Sequence, residues 1–349
     1  MAPIGVAIIG SGIFAKEQHL PAVEKTDLLT LRAVFSRSLK SAKDLASVVK
    51  DSSSVDLYST DSGEGKAYKD LLARDDISAV IIALPIGNQP EYIEAALTAG
   101  KHVLAEKPIA PDVAAAKKLI DFWKKTKESN GAEFAVAENY RFVPGFDYAA
   151  EKARDLGKVT HFNVRVLTLM DDQNKFFKTS WRQTPDFQGG FALDGGVHFS
   201  AGARHFLRGE DAAASVHAFS AQIQPHLPPL DTIHAIIQLK SGAKGVYQQS
   251  SGSNLKAFEW SIAFEKGSVV AEPKKVVVAG ADGEVIETKE FERTSGVSEE
   301  VAAWAESLQK GVADKRQSPE EALADLEFLE KIFRSGEQDG ARQTYELQL

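Results

Sequence analysis

Six short strand-like runs, at residues 4–9, 29–35, 55–58, 79–84, 102–105 and 133–137, alternate with longer amphipathic stretches. Most are continuous in apolar residues: Ala79-Val80-Ile81-Ile82-Ala83-Leu84 has no polar position at all. A strand without a wet side must be covered on both faces, and the stretches between the runs can supply that cover as helices. Helical patterns at 14–24, 39–50, 68–73, 91–99 and 112–127 fill those intervals. The alternation predicts an α/β fold with a doubly wound parallel sheet over residues 1–138.

The pattern changes after residue 138. From 159 to 168, Thr160, Phe162, Val164 and Val166 alternate with His161, Asn163 and Arg165, and Phe258, Trp260, Ile262 and Phe264 repeat that period of two. Such strands have one buried and one wet face. Ala281-Asp282-Gly283-Glu284, between two valine-rich runs, is a hairpin turn. A helix is expected near 146–156 and another from 318 to 335, with Ser318 as N-cap and Pro319 at the first helical position. A chain of 349 residues suits two domains. Residues 139–349 are expected to form an α+β substrate-binding and oligomerisation domain around a large, open, mainly antiparallel sheet. The 318–335 helix is expected to pack back toward the first domain. The free face of such a sheet needs cover, so a homodimer or homotetramer is expected through it.

Composition narrows the function. Lys plus Arg is 41 against Asp plus Glu 49, a net charge of −8, which disfavours nucleic acid and anionic membranes as partners. The absence of cysteine excludes disulfides, thiolate nucleophiles, iron–sulfur clusters and thiolate zinc sites. No His-Glu-x-x-His pattern occurs, and no metal is expected. No signal-like N-terminus and no apolar run near the ~20 residues of a membrane span is present, so a soluble, cytoplasmic protein is expected.

Gly10-Ser11-Gly12-Ile13-Phe14-Ala15 follows the first strand and opens a helix. Glycines at the first two positions let the backbone approach a pyrophosphate on the helix N-terminus, and a small Ala15 permits close helix–sheet packing. The plainer alternative is a tight strand-to-helix turn. The second strand ends in Phe35-Ser36-Arg37-Ser38, without the acidic residue that an NAD ribose usually meets there. Ser36 and Arg37 favour the 2′-phosphate of NADP over a merely solvated turn. Glu106-Lys107-Pro108 follows the fifth strand. Proline keeps Lys107 extended at the carboxyl end of the sheet, where such folds bind ligands and where an ammonium can polarise a carbonyl. A surface lysine before proline is the alternative. In Asp194-Gly195-Gly196-Val197-His198 a helix would set Asp194 and His198 one turn apart, giving an imidazole for proton transfer and a carboxylate to orient it or bind hydroxyls. An N-capping Asp beside a core histidine would look the same.

These motifs, with His19-Leu20-Pro21-Ala22, the run Ala99-Gly100-Lys101-His102-Val103-Leu104-Ala105-Glu106-Lys107-Pro108, and Asn139-Tyr140-Arg141-Phe142-Val143-Pro144, make the chain resemble the glucose–fructose oxidoreductase / inositol dehydrogenase / MocA (Gfo/Idh/MocA) family. Thr179-Ser180-Trp181-Arg182-Gln183 is similar to an NADP-dependent fungal branch. The resemblance implies an N-terminal Rossmann domain and hydride transfer between NADP(H) and a sugar, polyol or related carbonyl compound. It assigns catalysis to Lys107 as electrostatic partner, Asp194 as orienting carboxylate and His198 as proton donor or acceptor. It assigns the cofactor to Gly10, Gly12, Ile13 and Phe14, to Ser36 and Arg37, to Leu84, Pro85 and Asn88, and to Glu106 and Lys107. Tyr140, Arg141, Trp181 and Arg182 are candidates for the substrate pocket. One departure is Pro85-Ile86-Gly87-Asn88-Gln89-Pro90, where many members carry Pro-Asn and a downstream histidine. Two other activities share these residues: a glycosidase that oxidises its substrate transiently with a retained nicotinamide, and a nucleotide-binding sensor without turnover.

Overall fold

The computed structural model describes residues 2–349. The chain divides into two compact units, each discontinuous in sequence: residues up to Asn139 with Val297–Ala322, and Tyr140–Gly296 with Leu323–Leu349.

The first unit is built on six parallel strands: β1 (Ile4–Ile9), β2 (Leu29–Ser36), β3 (Asp56–Ser59), β4 (Ala79–Ile82), β5 (His102–Glu106) and β6 (Phe134–Ala137). Their order is β3-β2-β1-β4-β5-β6, with β1 paired to both β2 and β4. The chain direction across the sheet reverses between β1 and β4, and a doubly wound sheet binds its ligand outside the carboxyl ends at that switch. Val6, Ile8, Ile81 and Leu104 are fully buried, as continuous apolar strands require. The helix Val297–Lys310 also belongs here: Val301, Trp304 and Ala305 pack into one core with Leu20 and Val23. Its buried residues at 297, 301, 304 and 305 follow helical spacing, but that spacing does not say which domain's core they join.

The second unit holds a nine-stranded sheet: β7 (Val159–Leu169), β8 (Ala213–Ala221), β9 (Thr232–Leu239), β10 (Lys244–Ser250), β11 (Gly252–Phe264), β12 (Gly267–Glu272), β13 (Lys275–Gly280), β14 (Val285–Glu290) and β15 (Gln343–Thr344). The order is β14-β13-β12-β11-β7-β10-β9-β8-β15, antiparallel throughout except for the parallel pair β7–β10. Gly283, at φ +83°, turns the expected hairpin, and Gly280 N–H donates to Glu284 O at 2.9 Å. Trp260 and Ile262 lie on the helix-covered side, with Trp260 edge-on to Phe146 at 4.8 Å. Apolar residues left in solvent on this sheet include Phe219 and Ile236, at 64% and 57% exposure on the paired strands β8 and β9, with Leu169, Leu255, Val285 and Ile286 on other strands. Among the described residues, no helix is long and apolar enough to cross a membrane, and no cluster of three or more His, Cys, Asp or Glu could hold a metal ion.

Candidate active site

In the first unit β1 runs into Gly10 at φ +105°, where a side chain's Cβ would lie 2.2 Å from the Ala83 carbonyl oxygen. Only glycine fits that approach. Over Gly12 nothing lies within 4 Å of a Cβ position, so the turn is open there. The helix over 13–25 begins at this turn with a π-helical segment, Ala15–His19, and Ala15 is buried against the sheet. Leu84 and Pro85 are half-buried at the end of β4, with Leu84 Cδ2 3.2 Å from the same Gly10 Cβ position. An exposed backbone turn at a helix N-terminus, walled by apolar side chains, fits a dinucleotide's pyrophosphate.

At the end of β2 the polar side chains divide. Ser36 is buried and its Oγ lies 2.6 Å from Ser11 Oγ, tying β2 to the glycine turn. Ser38 caps the helix Leu39–Ala46 by accepting from Ser41 N–H at 3.2 Å. Arg37 is exposed and in no ion pair among the described residues. At the end of β5, Glu106 accepts from the fully buried His19 Nε2 at 2.7 Å. The half-buried Lys107 follows, joined to Pro108 by a cis peptide. Gln89, wholly buried at the start of the helix Gln89–Thr98, donates from Nε2 to Pro108 O at 3.3 Å and so braces that turn. Asn88 is exposed.

In the second unit the helix Phe191–Arg204 carries Asp194 and His198 one turn apart. Asp194 is 4% exposed, and its Oδ2 accepts from Arg182 Nε at 2.6 Å. The Arg182 guanidinium lies 4.0 Å above the Trp181 ring. His198 stacks on Tyr140, with ring centroids 4.7 Å apart and planes 15° from parallel. The helix is seated tightly. A Cβ at Gly196 would meet Gln249 Oε1 at 2.7 Å, and Gln249 Nε2 donates to Ala192 O at 2.8 Å. Trp260 Nε1 donates to Phe199 O at 3.1 Å. At its end Arg204 bonds Asp325 at 2.6 Å, and Asp325 also bonds Arg141. All three of these charged groups are at most 2% exposed.

Residues 4–133 match the model of the oxidoreductase family with an NAD-binding Rossmann fold, and residues 152–346 match that family's C-terminal α/β domain. The chain belongs to the Gfo/Idh/MocA family. A dehydrogenase of Fusarium mangiferae, FPY6, is 40% identical over 346 residues, covering 97% of this chain and 98% of the relative. D-xylose 1-dehydrogenase (NADP(+)) 2 of Haloferax volcanii is 28% identical over 79% of this chain and 83% of its own. The crystal structure of an oxidoreductase from Thermotoga maritima superposes with a TM-score of 0.85 at 29% identity, covering 98% of each chain.

This Gfo/Idh/MocA protein is thus an oxidoreductase acting on CH–OH and C=O groups. Among its sequence-predicted residues, Gly10, Gly12, Leu84 and Pro85 gather at one turn, and Asp194, His198, Tyr140, Arg182 and Trp181 gather around one helix. Arg141 is separated from the others by burial at 1% exposure, bonded to Asp325. Three partners escaped the sequence: His19 on Glu106, Arg182 on Asp194, and Gln249 under Gly196. His19 and Arg182 stand in motifs that were visible, but their partners lie 87 and 12 residues away. Nothing in the sequence marks Gln249.

Proposed function

We propose that this oxidoreductase exchanges a hydride between NADP(H) and a sugar, polyol or related small carbonyl compound, with His198 as the acid–base group. The observation that carries this is the build of the Phe191–Arg204 helix. Stacking on Tyr140 fixes the plane of the His198 ring, and with it the directions in which the ring nitrogens exchange a proton. Imidazole suits that role because it can hand a proton either way near neutral pH. Asp194, held by Arg182, orients the imidazole or receives substrate hydroxyls. Lys107 supplies a positive charge to the oxygen that gains or loses its proton.

A bound nicotinamide supplies the hydride chemistry itself. Gly10, Gly12, Ile13 and Phe14 would hold its pyrophosphate, Arg37 its adenosine end, and Leu84, Pro85 and Glu106 the nicotinamide side. His19 keeps Glu106 in place for that contact. Tyr140, Trp181 and Arg182 are assigned to substrate, whereas the buried Arg141 supports the segment beside Tyr140. The naming of the Haloferax volcanii relative as an NADP-dependent D-xylose dehydrogenase supports both the cofactor and a sugar-like substrate. The exposed Phe219 and Ile236 support contact between copies through the second sheet. Loss of a dimer or tetramer in light scattering on Phe219→Asp would bear that out, and a monomeric wild type would refute it.

The test is an assay of NADPH and NADP against aldoses, uronates, diketones and polyols. Net cofactor turnover with at least one of them is expected. Cleavage of glycosides with no net cofactor turnover, or cofactor binding without turnover on any compound, would overturn the proposal.

A further inference from the structure

Strand β3 lies beside β2 with Ser59 opposite Ser36, and Thr60 N–H donates to Ser36 O at 3.3 Å. The turn after β3 therefore sits against Ser36, Arg37 and Ser38. From that turn Asp61 reaches the helix Leu39–Ala46, where its Oδ1 accepts from Leu39 N–H at 2.7 Å. The same oxygen accepts from Ser59 Oγ at 2.7 Å, and Ser62 Oγ lies 2.5 Å from Ser59 Oγ. Ser59 is fully buried, so the carboxylate is braced from inside while Asp61 itself is exposed. The Ser59 hydroxyl and the Leu39 N–H hold this carboxyl below the usual carboxylate range, so it is ionised at neutral pH.

A phosphate at the end of β2 would draw on the Ser36 and Ser38 hydroxyls, the first helical N–H and the Arg37 guanidinium. Ser36 is engaged with Ser11, Ser38 with its helix, and the Leu39 N–H with Asp61. Arg37 is exposed and in no ion pair among the described residues. An NAD site usually carries its acidic residue at the end of the second strand. Here that position is Ser36-Arg37, and the acid arrives from the end of the third.

We propose that Asp61 sets the cofactor preference of this chain, as a fixed negative charge that opposes Arg37, repels the adenosine 2′-phosphate and accepts from the unphosphorylated ribose. This rests on the dinucleotide reading above, with the adenosine at the end of β2. A phosphate monoester carries about −1.5 to −2 charges, so a carboxylate beside it acts on NADP(H) far more than on NAD(H). Arg37 and Asp61 thus pull the preference in opposite directions, and Asp61 narrows the margin by which Arg37 favours NADP(H) over NAD(H).

The test is titration of the full-length protein with NADPH and NADH, followed by nicotinamide fluorescence, in wild type, Asp61→Asn, Asp61→Ser and Arg37→Ala. Asparagine keeps an oxygen for Leu39 N–H and removes the charge. Serine guards against a fault peculiar to the amide. Both neutral variants should bind NADPH roughly three- to tenfold more tightly at low salt, with NADH unchanged or weaker, and the gain should shrink as salt rises. Melting curves show whether each variant is folded. NADPH affinity that is unchanged or lower in both variants at low salt would overturn the proposal. Arg37→Ala separates the two ideas. If it leaves NADPH affinity untouched, Arg37 does not meet the phosphate, yet a gain in Asp61→Asn would still put the phosphate beside Asp61. No variant, Arg37→Ala included, altering the affinity for either cofactor would refute the adenosine placement itself.

Discussion

The two units build their sites in different ways. In the first, the groups assigned to the cofactor stand within about five residues of buried strands, and backbone shape does most of the placing: Gly10 is required by a carbonyl 2.2 Å from its missing Cβ. In the second, Asp194 and His198, the residues proposed for proton exchange, stand on one helix held by side chains from remote parts of the chain. Arg141 and Arg204 reach Asp325 across 184 and 121 residues of sequence. The first kind of site is intolerant of a Cβ at Gly10, while Gly12 leaves its turn open. The second depends on charge pairs that lose much more when one member goes.

That contrast can be broken by substitution. The largest effect is expected from Asp325→Ala, which strips the shared partner from two buried guanidinium groups. A loss of about 3–5 kcal/mol of stability is expected in denaturant titration, because an uncompensated buried charge costs far more than an intact pair contributes. A loss near zero would show that the network is not what seats the helix. Arg182→Met comes next. It removes the Arg182 Nε donor from the Asp194 carboxylate, 4% exposed, and should cost about 1.5–3 kcal/mol together with a fall in turnover. Arg182→Lys should restore part of both.

Gly10→Ala sharpens the other side of the comparison. The added methyl must displace the Ala83 carbonyl at a positive φ, so cofactor affinity should fall about tenfold or more while the fold of the second unit persists. Unchanged affinity in a folded variant would remove the turn from the cofactor site. The smallest effect concerns pH. His102 Nδ1 accepts from Glu133 N–H at 3.0 Å, and burial pushes its imidazole below the usual histidine range. With a folded value below the unfolded one, the unfolded chain binds more protons, so the first unit should lose stability as pH falls through about 6.5. His102→Gln should flatten that slope, as read from melting temperatures across pH; an unaltered slope would assign it to other groups.

The same contrast explains what was legible in the sequence. The parallel sheet was readable because continuous apolar runs and glycines at strand ends are local signals. The antiparallel sheet was readable from the alternation at Phe162, Val164 and Val166, and the Asp194–His198 spacing from helical geometry. What could not be read was every partner supplied by distant chain. Asp61 escaped because the sequence was read for an acid only at the end of the second strand, where none stands, and strand neighbours are not written in the pattern of either strand. The helix Val297–Lys310 was not read from the sequence, and its spacing does not say that it joins the core of the first unit. Trp260 showed its alternation but not which side of the sheet the helices cover.

The central claim is that proton exchange belongs to His198, while cofactor binding belongs to the first unit. It is tested most directly by measuring turnover and cofactor dissociation constant on one preparation of His198→Asn. Asparagine can still stack against Tyr140 but cannot exchange a proton near neutral pH. Turnover should fall by ~100-fold or more, the usual contribution of a positioned acid–base group, with the dissociation constant held within about twofold. Near-normal turnover in that variant would contradict the account, and so would a dissociation constant that rises in step with the lost activity.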